Sequence, residues 1–427
     1  MANLNRSTSR RGFLKTTAKA GAAALAPMFV PAAVLGREGA TPPSERIVVG
    51  GLGIGNRGRT DLACFLSEQD AQFVAVCDAQ QSRREQVKEI VDNHYQSSDC
   101  AVLRHPDELL GRDDIDAVLI ATGDRWHTLA SILAARAGKD IYCEKPCSMT
   151  IEESLRLKET IGRYGRIYQA GTQRRTIPNF QFAVELAHSG KLGKLHTVHA
   201  HTLNPGFRRD WLPEVPLPSE EVVDWDLWLG PVPWRPYNPT YTAGGWRDHY
   251  DLHSGGILEW GAHTVDLCQW ATGMDHTTPI QYEPWDTNVT ATYANGVKLV
   301  MRDRDTGWLG LGTCPVRFEG DEGWVETGDS GKIAVEPASL RSEIEVVEMQ
   351  GTDPKNHVRE FLDCVRSRKP CSANASVAAQ SHIASHAATI AWRMGTTLRF
   401  DPEENEFIDN ADANRFLARA VREPWRI

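Results

Sequence analysis

The sequence predicts an α/β protein: a doubly wound parallel sheet, followed by a larger α/β domain built on an open, mostly antiparallel sheet. Three observations carry this. Between residues 46 and 143, short β-branched runs alternate with helical patterns, as in β-α-β units. A G-x-G-x-x-G, Gly53 to Gly58, lies between the first run and the first helical pattern. Five short strand signals between 288 and 336 are separated by turns, and Asn295-Gly296 is a strong hairpin signal.

A length of 427 residues suits two or three domains, and 41% hydrophobic with 24% charged residues is ordinary globular composition. The net charge is −9 and no basic block follows the N-terminus, which argues against nucleic acid or an anionic membrane as the main partner. Nine cysteines without C-x-x-C spacing read as small buried hydrophobes, and no metal site is expected. Ser9-Arg10-Arg11-Gly12-Phe13-Leu14-Lys15 is a twin-arginine pattern, with a weakly apolar stretch broken by Pro27 and Pro31 behind it. Residues 1–36 are therefore read as an export signal and 37–45 as a linker. Export implies a periplasmic or otherwise exported protein with no stable membrane insertion. Since no nicotinamide pool exists outside the cytoplasm, any dinucleotide is expected to be held tightly and regenerated within each turnover.

The first domain is placed at 46–171. Arg46–Gly51 is a buried strand, and a helical pattern follows Gly58. Gln72–Cys77 is the second strand, ending at Asp78, twenty residues past Gly58. The three glycines serve the turn, the approach of a pyrophosphate to backbone N–H groups, and close helix packing. Asp78 is placed to hold the hydroxyls of an adenosine ribose. This is a Rossmann dinucleotide-binding signature, with Gly53, Gly55, Asn56, Arg57, Gly58 and Asp78 as cofactor contacts. NAD is favoured over NADP because Asp78 would repel a 2′-phosphate; Arg83 and Arg84 read as a solvated helix face. Residues 115–121 form another buried strand, leading into Thr122 and the loop to Arg125. Residues 140–143 form the next strand and run into Glu144-Lys145-Pro146.

The second domain is placed at 172–427. Thr172–Arg175 follows the last strand of the first domain, where Arg175 is a candidate substrate contact. Residues 204–248 are loop-like, with five tryptophans among eight prolines. Their indoles either stack on a sugar face or pin the loop to the core. Trp246 and Tyr250 are the substrate candidates from this stretch. Gly255-Gly256 opens a helix on which Glu259 and His263 share a face at i,i+4.

Strand–Glu-Lys-Pro downstream of G-x-G-x-x-G, with Gly255-Gly256 ahead of Glu259, Gly261 and His263, resembles the glucose–fructose oxidoreductase / inositol dehydrogenase / rhizopine-catabolism (Gfo/Idh/MocA) family. The resemblance covers residues 46–400. It implies that Lys145 sits beside the nicotinamide and the substrate hydroxyl, that the Lys145–Pro146 bond is cis, and that His127 lies near the cofactor with Thr122 and Glu144. It gives His263 the acid/base role, with Glu259 where the family usually has Asp. The implied activity is NAD(P)-dependent hydride transfer at a secondary alcohol of a sugar, cyclitol or related polyol. The alternatives are an NAD-dependent glycosidase without net redox, or a non-catalytic sugar-binding relative. An open sheet needs its face covered, so a homodimer or homotetramer is expected.

Overall fold

The computed structural model describes residues 41–303, 307–341 and 350–426. The twin-arginine segment, residues 1–36, lies outside the described residues, as does the first part of the linker, 37–40.

The first sheet is parallel throughout, in the order β3-β2-β1-β4-β5-β6. Its strands are β1 (Ile47–Leu52), β2 (Ala71–Cys77), β3 (Ala101–Leu103), β4 (Ala117–Ile120), β5 (Asp140–Cys143) and β6 (Tyr168–Ala170). The strand order reverses between β1 and β4, and such a switch point opens a crevice at the carboxyl ends of the strands. Both faces are buried, which is why these strands read as unbroken apolar runs. Along β4, Ala117 and Leu119 face one core and Val118 and Ile120 the other. On the first face lie Leu62 and Phe65 of helix α1 (Asn56–Ser67). The second face is covered by helices that follow α2 (Gln81–Tyr95) and α3 (Pro106–Leu110): Leu129 and Ala130 of α4 (Asp124–Arg136), with Leu157 and Ile161 of α5 (Ile151–Tyr164). Helix α5 has clean ends: the Thr150 hydroxyl accepts from the Glu153 N–H, and Gly165 closes it at φ 58°.

The second sheet has nine strands in the order β13-β12-β11-β7-β10-β9-β8-β14-β15. These are β7 (Leu195–His201), β8 (Gln281–Trp285), β9 (Asn288–Thr292), β10 (Lys298–Arg302), β11 (Val316–Gly320), β12 (Gly323–Thr327), β13 (Ile333–Glu336), β14 (Leu398–Asp401) and β15 (Glu406–Phe407). Among the described residues only the β7–β10 pair of this sheet is parallel, so the expected mostly antiparallel sheet is present. Strand β8 carries Pro284, which hides it in sequence. Its β14 partner reaches only Gln281 and Tyr282, so Pro284 stands where no second ladder needs its N–H. One face packs on α6 (Pro178–His188), α8 (Gly256–Thr272) and α10 (Ala375–Met394), after α7 (Trp225–Leu229) in the long loop. The other face carries Arg302 stacked over Trp308 and Arg317 over Trp324, each at 4.0 Å.

One helix of the later half returns to the first sheet. Phe361 of α9 (Lys355–Ser367) packs edge-on against Phe65 and Tyr142, and Arg359 pairs with Glu68 and Asp70. The chain also ends against earlier structure: Trp425 packs on Trp126, and Arg422 pairs with Asp226. No helix among the described residues is long and apolar enough to cross a membrane. All nine cysteines are free, eight of them buried.

Candidate active site

The G-x-G-x-x-G folds as its residue types require. Gly53 turns the chain out of β1 at φ 66°, hard against Thr122, where a side chain would clash. A Cβ on Gly58 would stand 2.6 Å from that of Ala121, so glycine lets α1 lie on the sheet. Gly55 has open space where its Cβ would be and lines the crevice. The first helical hydrogen bond is Arg59 N–H to the Gly55 carbonyl, 3.0 Å. The N–H groups of Asn56, Arg57 and Gly58 precede it and form the positive end of α1.

This crevice holds about 1100 Å³ of empty space and includes Asp78, Gln80, Arg83, Arg104, Thr122, Arg125 and Trp228 among its walls. The Asp78 Oδ1 accepts from the Gln80 N–H at 2.9 Å. Burial pushes its carboxyl up to about 6, against the pull of Arg83 and Arg84. Arg83 turns to Asn56 Oδ1. Arg84 is not on a solvated face: it is 3% exposed and donates to the Asp78 carbonyl and to Glu221.

Glu221 belongs to a strap, residues 220–230, that crosses the Asp78 end of the crevice. The Gln81 N–H donates to the Val222 carbonyl, Asp224 N–H to Ala79, and Trp126 Nε1 to Leu227. Arg125 Nε donates to the Trp228 carbonyl at 2.7 Å, with its guanidinium 3.6 Å above the Trp228 ring. Its Nη1 is buried without a partner among the described residues, and burial lowers the group to about 9. Trp225 and Trp228 stack on each other, 4.7 Å apart. The tryptophans therefore mainly pin the loop, and Trp211 and Trp234 are exposed. A dinucleotide fits the donor set: an open glycine, a helix N-terminus, an acceptor at the second strand's end and a buried guanidinium with one unpaired nitrogen among the described residues.

A second cavity of about 860 Å³ adjoins the first, sharing Arg57, Ala121, Thr122, Trp246 and Arg247 with it. Lys145, from the end of β5, and Glu259 and His263, from α8, all line it, together with Asp124, His127, Glu144 and Arg174. The Lys145–Pro146 bond is cis, as the resemblance implied. Lys145 Nζ donates to the Glu259 carbonyl at 2.8 Å and to its Oε1 at 3.3 Å. Burial alone would raise Glu259, but the Lys145 cation and the His253 hydrogen bond hold it well below the carboxylate range. His263 is driven well below its usual value by burial, then by the Arg174 and Lys145 cations, so its imidazole is neutral. Its Nδ1 has no partner among the described residues. His127 Nδ1–H donates to the Pro146 carbonyl at 2.6 Å, and its Nε2 is buried without a partner among the described residues. Glu144 accepts from Arg57 Nε and from the Lys145 N–H, both at 3.2 Å, and so fixes the cation shared by the two cavities.

Two of the expected substrate contacts are elsewhere. Arg175 does not line the cavity: it is buried, with Nε to Asp266 at 2.6 Å and Nη2 to Asp275 at 2.7 Å. The 3₁₀ turn Gln173–Thr176 rotates successive residues by about 120°, so Arg174 reaches the cavity instead, held by Asp329 at 2.7 and 2.8 Å. Tyr250 faces a separate small cavity, with Arg419 and Arg393 4.2 and 4.7 Å from its ring. Trp246 lines both main cavities. Arg125, Trp228, Arg174 and Asp124 were not singled out by sequence reasoning. Only the tertiary fold brings them in.

Residues 46–172 match the model of the oxidoreductase family's NAD-binding Rossmann fold, and 193–427 that of the Gfo/Idh/MocA C-terminal alpha/beta domain. An inositol 2-dehydrogenase of Saccharopolyspora erythraea is 31% identical over 163 residues, 37% of this chain and 47% of that protein. A glycosyl hydrolase family 109 protein of a Shewanella strain is 33% identical over 129 residues, 29% of this chain and 27% of that protein. These matches thus span about half or less of the relatives' length. The crystal structure of aldose-aldose oxidoreductase from Caulobacter crescentus, complexed with glycerol, superposes with a TM-score of 0.60 at 18% identity, covering 83% of this chain and all of that one. With both halves of the chain matched in order around one cleft, this protein belongs to the Gfo/Idh/MocA oxidoreductase family.

Proposed function

We propose that this protein moves a hydride between a secondary alcohol of a sugar, cyclitol or related polyol and a nicotinamide dinucleotide, NAD rather than NADP. The observation that carries the reading is that Lys145 and His263, from different sheets' surroundings, line one cavity adjoining the dinucleotide crevice. When bound, the cofactor supplies the hydride acceptor or donor. Asp78 would hold its ribose hydroxyls, the α1 N-terminus its pyrophosphate, and Thr122, His127 and Glu144 would border the nicotinamide end. Neutral His263 takes the proton from the substrate hydroxyl, and the Lys145 ammonium favours the oxygen that acquires negative charge. Acid/base help of this kind contributes about 10²–10⁴ in rate.

Ser9–Lys15 supports export through the twin-arginine route. The strap 220–230 over the crevice supports slow cofactor release, as an exported enzyme needs. The cation- and indole-bearing outer face of the second sheet supports a homodimer or homotetramer, checked by light scattering. A second reading, a glycosidase that oxidises, eliminates and reduces with no net redox, is favoured by the family 109 relative. Incubation with polyols and with glycosides separates them: accumulation of reduced cofactor supports the dehydrogenase, and released aglycone without it supports the glycosidase. Neither product with any sugar would overturn both.

A further inference from the structure

A neutral base and one ammonium suffice for alcohol oxidation, yet the cavity wall carries another ionisable chain. Glu259 is shared: Oε1 faces Lys145 at 3.3 Å, while Oε2 accepts from His253 Nε2 at 3.3 Å. Beyond His253 lies a second carboxylate, Asp124, 4.0 Å from the same nitrogen. Asp124 is itself fixed by the Ser254 N–H and hydroxyl, at 2.9 and 2.7 Å. His253 is 2% exposed, and its Nδ1 has no partner among the described residues. The loop is clamped from behind, where Arg419 Nη1 donates to the carbonyls of Tyr250 and His253. The Trp246 ring closes the remaining side, 5.8 Å away.

Building on the proposed function, we infer that His253 is a positioning residue whose protonation sets how firmly Glu259 holds the Lys145 ammonium. With the imidazole charged, the single charge of Glu259 is divided between two cations and its grip on Lys145 slackens. With the imidazole neutral, Lys145 is the carboxylate's only cation in direct contact among the described residues. His253 touches neither cavity, so its effect passes through Glu259. Burial opposes the imidazolium, but Glu259, Asp124 and Asp248 outweigh it, and the net direction is upward from the ordinary histidine value. The charged neighbours are thus Glu259, Asp124 and Asp248, with the Lys145 and Arg247 cations across Glu259 and Arg419 at the backbone. Three ligand-type atoms of Asp124, His253 and Glu259 also cluster within 4.8 Å, but Lys145 already occupies the open side of Glu259.

The test is a histidine-selective NMR titration of the full chain with NAD bound, the His253 signal being identified by its loss in His253→Gln. His253 is expected to titrate above the ordinary 6.5 or so. It should move down by about one unit or more in Glu259→Gln, and up in Lys145→Met. Titration at or below the ordinary value, or no response to Glu259→Gln, overturns the inference. So does an imidazole signal that shifts on adding Zn²⁺ or Mn²⁺ at micromolar concentration, which would mark a metal site. Turnover against pH with myo-inositol and glucose as probes supplies the kinetic arm: kcat should carry an inflection that His253→Gln removes with KM unchanged. If neither probe nor any other polyol turns over, the proposed function fails, while the titration still decides the coupling.

Discussion

The two adjoining cavities recognise by opposite means. In the dinucleotide crevice most of the work falls to backbone, three glycines and the start of α1, with Asp78 in the same stretch of residues 53–78 and Arg125 added from α4. The inner cavity is almost all side chain. Its cations and carboxylates arrive from α1, α4, the end of β5, a 3₁₀ turn and α8, and three of the cations are held by carboxylates: Lys145 by Glu259, Arg174 by Asp329, Arg57 by Glu144. A backbone site tolerates variation in side chains but not in Cβ atoms. A side-chain site behaves the other way, because one lost charge leaves its partner buried and unpaired.

Substitutions should expose that difference, and the largest effect belongs to Lys145. Lys145→Ala should lose about 10²–10⁴ in turnover while keeping its dinucleotide; initial rates and released-nucleotide content check it. Near-wild-type turnover would remove Lys145 from the mechanism. Next is the arginine pair. Arg175→Ala leaves the buried Asp266 and the partly exposed Asp275 without their cation and should destabilise by about 3–5 kcal/mol, read by denaturant unfolding. Arg174→Ala differs in kind, because it also removes a charge from the inner cavity and should change the rate.

The glycines sharpen the contrast on the crevice side. Gly58→Val drives methyl groups into Ala121 and should cost about 1–3 kcal/mol of stability along with dinucleotide binding. The Cβ of Gly55→Val meets no protein atom within 4 Å, so unfolding should change far less than in Gly58→Val while binding is lost. The smallest effect is in pH. Asp78 has a folded value near 6, above the unfolded value of about 3.9. The folded state therefore binds the extra proton between these limits. Its contribution to stability falls as pH rises from about 4 through 6, and is constant above. NAD binding should move in the opposite direction, weakening as pH falls through about 6 and Asp78 loses its charge. Thermal unfolding and NAD titrations from pH 4.5 to 8, against Asp78→Asn as the silent reference, check both signs.

The same contrast explains what could be read from sequence. The crevice was legible because its contacts are local: a strand, G-x-G-x-x-G, a helix and Asp78 lie within one β-α-β unit. Lys145 and His263 were legible only through family motifs, since nothing in their spacing shows that residues 118 positions apart share a cavity. Arg175 was misplaced because a 3₁₀ turn sends adjacent arginines to different sides. Arg84 looked solvated because the strap that buries it comes from residue 221. His253 and Glu259 are six apart, a spacing that is neutral on a helix. They meet because Gly255, at φ 107°, turns the chain between them. Helix α9 carries a clear amphipathic pattern, but only the fold says that its apolar face belongs to the first sheet.

The central claim is that a nicotinamide dinucleotide lies along the carboxyl ends of β1 and β4 and ends between Lys145 and His263. Mass spectrometry of the nucleotide released on denaturing protein dialysed against NAD tests it directly. About one NAD per chain is expected in the wild type and in Lys145→Ala, with none in Gly55→Val. Absence of NAD from the wild type, or equal occupancy in Gly55→Val, would contradict it.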